Sequence, residues 1–186
     1  MRNVLVFGGF GFLGYYLLKE PNEIQMTDVM GTGTFQDPYY VKVEQYADYS
    51  GVGYDAAVDY KFTVIYTYIN PENFLKIEYI VDAPATNTDT VKVYHFIDTY
   101  LQGGDNGPAY AIDSAANTLQ VDIDLNPILI GVYRDPEFLG FIEFENEFTN
   151  FYSGNYFDSY HDPAKVGGNL SNHVDTVSST DNEVGI

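Results

Sequence analysis

The sequence predicts an all-β fold, an antiparallel β-sandwich of jelly-roll or supersandwich type. Three observations point there. Aromatic residues make up 17 % of the chain, as 18 Tyr and 13 Phe with no Trp, and such rings favour pleated, half-buried surfaces. Apolar and polar residues alternate with a period of two over successive short runs. Turn residues break these runs roughly every ten positions, the spacing of a sandwich or barrel and not of βαβ units. From residue 31 onward no segment sustains a helical period.

Residues 1–30 read as an apolar N-terminal segment set before a domain at 31–186. Arg2, the apolar run up to Leu18 and then Lys19-Glu20 have the look of an export signal or membrane anchor. The run is short for a spanning helix and lacks an A-x-A cleavage site. A strand or helix packed on the domain is the plainer alternative. Val4 to Phe7 followed by Gly8-Gly9-Phe10-Gly11-Phe12-Leu13-Gly14 also resembles the dinucleotide-binding turn of extended short-chain dehydrogenases and NAD-dependent epimerases. That resemblance implies NAD as cofactor, with Gly8, Gly11 and Gly14 against the pyrophosphate. Asp28, about 20 residues after Gly8, would then take a ribose hydroxyl. No further βα units follow it.

The strand pattern starts beyond the Gly31-Thr32-Gly33 break. Tyr39, Val41 and Val43 alternate with Tyr40, Lys42 and Glu44. Val58, Tyr60, Phe62, Val64, Tyr66 and Tyr68 line one face of the clearest run, opposite Asp59, Lys61, Thr63, Ile65 and Thr67. Asn70-Pro71-Glu72-Asn73 turns the chain, and Leu75, Ile77, Tyr79 and Val81 oppose Lys76 and Glu78. These two runs form an antiparallel pair. Val91, Val93, His95 and Ile97 alternate with Lys92, Tyr94 and Phe96, and a Gly/Asp loop follows in which Asn106-Gly107 suits a tight turn. Leu119, Val121 and Ile123 alternate again, 128–133 reads as a strand buried on both sides, and 138–148 alternates loosely. After Asn150 the chain becomes polar and reads as a loop-rich tail. The predicted core comprises Tyr60, Phe62, Val64, Tyr66, Ile77, Tyr79, Val93, Val121, Ile130 and Val132.

A formal charge of −19, from 27 acidic and 8 basic residues, excludes nucleic acid as a partner, because its phosphates would be repelled. The chain has no cysteine, so neither disulfides nor thiolate metal sites hold the fold. Hard oxygen ligands gather at Asp98, Asp105, Asn106 and Asp113, a set suited to calcium though without EF-hand spacing. His95 and Asp98 are three residues apart and form a candidate catalytic or ligating pair, set against the commoner case of a satisfied strand histidine. His161 and His173 fall in the tail. Glu143 and Glu145 share a strand face, as paired carboxylates or as a solvated edge. Asn169-Leu170-Ser171 is a glycosylation sequon. No G-x-S-x-G occurs, so nucleophilic hydrolysis has no support.

The segments Y-H-F-I-D-T-Y-L-Q-G-G-D-N-G-P-A-Y (94–110), N-F-Y-S-G-N-Y (150–156) and V-D-T-V-S-S-T-D-N-E-V-G-I (174–186) resemble a β-sandwich module of large secreted and cell-surface bacterial proteins, over about residues 55–186. The resemblance implies an extracellular, non-enzymatic, structural or adhesive role. Its partners would be other surface proteins, neighbouring modules, glycans or further copies of itself. In that family a late strand follows the last of these segments.

Overall fold

The computed structural model describes residues 21–47, 51–104, 108–113, 119–120, 127–142, 148–155, 167–176 and 182–186. For 21–25, 112–113, 119–120, 127–128, 155 and 182 it describes the backbone alone. The described residues contain no helix, and their strands lie in antiparallel sheets apart from one short parallel pair. The protein is all-β. The described residues fall into two compact units, one within Leu17–Thr90 and one within Val91–Ile186.

The first unit is a four-stranded meander of β1 (Pro21–Met26), β2 (Tyr39–Ala47), β3 (Tyr60–Tyr68) and β4 (Lys76–Asp82), in that order across the sheet. The alternation of the sequence sets its register, since a slip of one residue would turn every side chain to the other face. Val43 opposes Val64, which opposes Tyr79, so Val41, Phe62, Tyr66, Ile77 and Val81 share that apolar side. The other side carries the charges. Glu44 there contacts Lys42 at 3.0 Å and Lys61 at 2.5 Å. Lys61 and then Lys42 hold its carboxyl below the usual value. Gly31 and Gly33 break the chain at φ values of 87° and 80°, in the region that favours glycine.

Tyr60 is buried, and its hydroxyl donates to Asn87 Oδ1 at 2.6 Å. Asn87 also accepts from the Asp89 amide at 3.0 Å, which fixes the 84–90 loop. Tyr60→Phe should therefore cost about 1 kcal/mol, the usual net worth of one such bond. Urea denaturation of the two proteins checks this.

The second unit contains β5 (Phe96–Asp98), β6 (Ala109–Asp113), β7 (Leu119–Gln120), β8 (Pro127–Arg134), β9 (Glu137–Ile142), β10 (Tyr152–Asn155), β11 (His173–Val174) and β12 (Asn182–Gly185). They form two sheets, ordered β11-β10-β12-β5 and β7-β6-β8-β9. Both sheets contribute to one core. Ala111, Ile130, Val132 and Phe141 come from one, and Val174 and Val184 from the other, with Phe151 at the foot of β10. A buried bond from Ser153 Oγ to the Gly131 carbonyl, 3.0 Å, also joins β10 to β8.

Several expectations change here. The tail after Asn150 is not all loop, because it supplies β10, β11 and β12, and β12 lies between β10 and β5. These runs span four residues at most, too few for an alternation to stand out in a polar stretch. The strand expected from Val91 contracts to Phe96–Asp98. Backbone pairing begins only at His95, which exchanges two 2.9 Å bonds with Ile186. Lys92 reaches away instead to the Gly167 carbonyl and Asn169 Oδ1, 2.8 Å each. Of the predicted core, Tyr60, Phe62, Ile130 and Val132 are buried, and Val64, Tyr66, Ile77, Tyr79 and Val93 are half-buried. Val121 lies outside the described residues. The run at 128–133 forms β8, but Tyr133 is 40 % exposed, so that strand is buried on one side only at its end.

Candidate functional site

The chemically distinctive residues of the second unit meet on β5 and β12. Directly opposite residues of an antiparallel pair lie on the same face. Asp98 opposes Glu183, Ile97 opposes Val184 and Phe96 opposes Gly185. One side of this sheet, with Ile97 and Val184, therefore faces the shared core. Glu183 and Asp98 point to the other side, together with Phe96. Gly185 is required there because a Cβ would run into the Phe96 ring.

That second side is also covered. The Tyr94 ring stacks parallel to Phe96 at 6.4 Å, and its hydroxyl donates to the Gly168 carbonyl. Leu170, in the same segment, is 3 % exposed. Glu183 itself is 2 % exposed. Desolvation by burial, and then the Asp98 charge, push its carboxyl up to about 9. A carboxyl so placed holds its proton at neutral pH. The pair therefore joins a buried neutral acid to an exposed carboxylate, an arrangement able to hold or pass a proton. At that burial Glu183 offers no surface to a substrate.

His95 falls on the opposite side from Asp98, because the two are separated by an odd number of positions along the strand. It is buried, with its ring edge-on to Phe141 at 4.8 Å, and burial lowers it to about 4. The candidate His95–Asp98 pair is thus not brought together. His173 is exposed and its ring lies 5.8 Å from Tyr152. His161, Glu143 and Glu145 lie outside the described residues.

The oxygen-ligand loop is only partly described. Asp98 is exposed at the end of β5, and Asp113 ends β6 with its backbone opposite Pro127. Asp105 and Asn106, and the turn expected at Asn106-Gly107, lie outside the described residues. A tight turn does occur just before them. Leu101 and Gly104 exchange backbone bonds of 2.9 and 3.0 Å around Gln102 and Gly103, whose φ values are 48° and 75°. That pair of positive angles matches a type I′ hairpin turn. The Gln102 amide donates to Glu137 Oε2 at 2.8 Å, and Arg134 Nη1 donates to the Leu101 carbonyl at 3.2 Å. The turn is thereby anchored to the β8–β9 hairpin. Among the described residues no group of three or more His, Asp or Glu side chains is placed to hold a metal ion.

Of the dinucleotide candidates, Gly8, Gly11 and Gly14 lie outside the described residues. Asp28 is exposed, two residues beyond β1, which pairs antiparallel with β2. Glu183 was not singled out from the sequence. Its signal was the alternation of Glu183 and Gly185 with Val184 and Ile186, four residues in a polar stretch. Comparison with protein-family models, curated proteins and solved structures finds no match to this chain.

Proposed function

We propose that this chain is an extracellular or cell-surface structural or adhesive module, built as a β-sandwich, that acts by binding and not by catalysis. One observation carries the reading. The β5–β12 register sends His95 into the core and Asp98 to the other side, which separates the acid–base pair that the sequence offered. The buried hydroxyl of Ser153 is likewise committed, to the Gly131 carbonyl. Cell fractionation tests the location, since soluble cytoplasmic protein with an intact N-terminus would refute export. Calorimetric titration with NAD(H) tests the competing class. Saturable micromolar binding lost in Gly11→Asp would establish a cofactor site and overturn this proposal.

Calcium bound near Asp98 belongs to the same proposal. Clustered carboxylates in so acidic a chain oppose compaction. A cation held only by the folded form adds RT ln(1 + [L]/Kd), about 2.7 kcal/mol at a hundredfold excess. The melting temperature should then rise by several degrees in calcium over chelator at matched ionic strength. Asp98→Asn or Asp105→Asn should remove most of the shift, and Asp82→Asn should not. Equal melting temperatures would leave the loop a turn.

A further inference from the structure

We propose that the outer face of the β6–β8–β9 sheet is a binding site for a neutral glycan, which gives the adhesive module proposed above its ligand class. Ala109 and Ala111 face the core and are 1 % and 0 % exposed, so Tyr110 between them points outward. The register places Tyr110 opposite Gly131, Gly131 opposite Gly140, and Tyr133 opposite Phe138. The outward positions of β8 and β9 are then Leu129, Gly131, Tyr133, Phe138, Gly140 and Ile142, none of them charged. Tyr133, Phe138 and Ile142 are 40 %, 37 % and 60 % exposed.

The outer side of an antiparallel sheet is ordinarily polar. The first unit follows that rule with Lys42, Glu44, Lys61, Lys76 and Glu78 on one side of its sheet. This face departs from it. A contiguous apolar patch on an otherwise highly charged chain marks an interaction surface. The rings form one group, with Tyr110 at 4.9 Å from Phe138 and 6.3 Å from Tyr133. Gly131 leaves the space the Phe138 ring occupies.

Charge and hydrogen bonding select the occupant. A net charge of −19 disfavours phosphorylated, sulfated or lipid-headgroup ligands, and also a second copy of the chain. A basic segment would find one carboxylate, Asp135 at the rim, and none at the outward strand positions. A pyranose ring presents a C–H face to aromatic carbons and hydroxyls at its edge. The edge here is polar in the matching way. The Tyr133 hydroxyl donates to Asp135 Oδ1 at 2.9 Å on an exposed hairpin, leaving carboxylate and phenol oxygens for sugar hydroxyls.

The test uses the full chain and three probes: cellohexaose, mannohexaose and chitohexaose, each titrated by calorimetry. Saturable binding of at least one is expected, weakened at least tenfold by Tyr133→Ala and by Ile142→Ser, with circular dichroism unchanged. No binding of any of the three, or binding that both variants retain, overturns the site. Hexalysine binding or self-association in the ultracentrifuge that Tyr133→Ala abolishes also overturns it, by assigning the face to another occupant. The two proposals fail separately. Sugar binding by a protein confined to the cytoplasm refutes the surface module alone, and surface display without sugar binding refutes this site alone.

Discussion

Replacing Glu183 by glutamine is expected to stabilise the folded chain at pH 7 by on the order of 3 kcal/mol. The carboxyl rises from 4.5 to about 9 on folding, through desolvation and the facing Asp98 charge. Folding therefore requires the acid to take up a proton at any pH between those values. The cost at pH 7 is set by the interval from 4.5 to 7, because about 9 lies well above it. Stability tied to this group is fully present below pH 4.5 and is lost as pH rises toward 9. Glutamine keeps the shape and removes the titration. Urea denaturation at pH 5, 7 and 8.5 should show a declining series for the natural chain, whereas the variant should gain stability from pH 5 to 7 and hold it at 8.5. A variant that is destabilised at pH 7 and keeps the decline would mean that Glu183 is ionised in the fold.

His95 produces the opposite slope. Burial lowers it from 6.5 to about 4, so the folded chain holds it neutral while the unfolded chain takes up a proton below 6.5. Its contribution is present above pH 6.5 and is lost as pH falls toward 4. Between 4.5 and 6.5 the two groups offset one another. The fold should be most stable in that interval, with the loss on the alkaline side due to Glu183.

Truncating Phe151 to alanine should cost about 3–5 kcal/mol, the usual range for deleting a buried aromatic ring. Phe151 is 2 % exposed and belongs to the core shared by both sheets of the second unit. It stands at the foot of β10, where its amide donates to Asn172 Oδ1 at 3.1 Å. Asn172 in turn adopts a φ of 55°, which asparagine tolerates better than most residues. The cavity would open where β10 and β11 are held together. Tyr100→Ala, at a ring 67 % exposed, should change stability by no more than about 0.5 kcal/mol. Similar losses for both variants in urea would show that Phe151 is not a core residue.

How much was legible in the sequence differs between the two units. Long alternating runs determined β2, β3 and β4, their antiparallel pairing and their apolar face, because a period of two repeated over seven to nine residues admits one register. A continuous apolar run marked β8, and a looser alternation marked β9. The candidate site was legible only at Asp98. Its partner Glu183 sits on a four-residue strand, and no local pattern tells a carboxyl that will be buried from the many that stay solvated. The sequence alone likewise paired His95 with Asp98 by proximity, and strand parity sends them to opposite sides. What the residues determined by themselves was the class of fold, through aromatic content, alternation and turn spacing. What only tertiary structure decided was which short segments pair across the chain. Bringing Asn182–Gly185 between Tyr152–Asn155 and Phe96–Asp98 is a long-range pairing, and that pairing is what buries one carboxyl and raises its proton affinity.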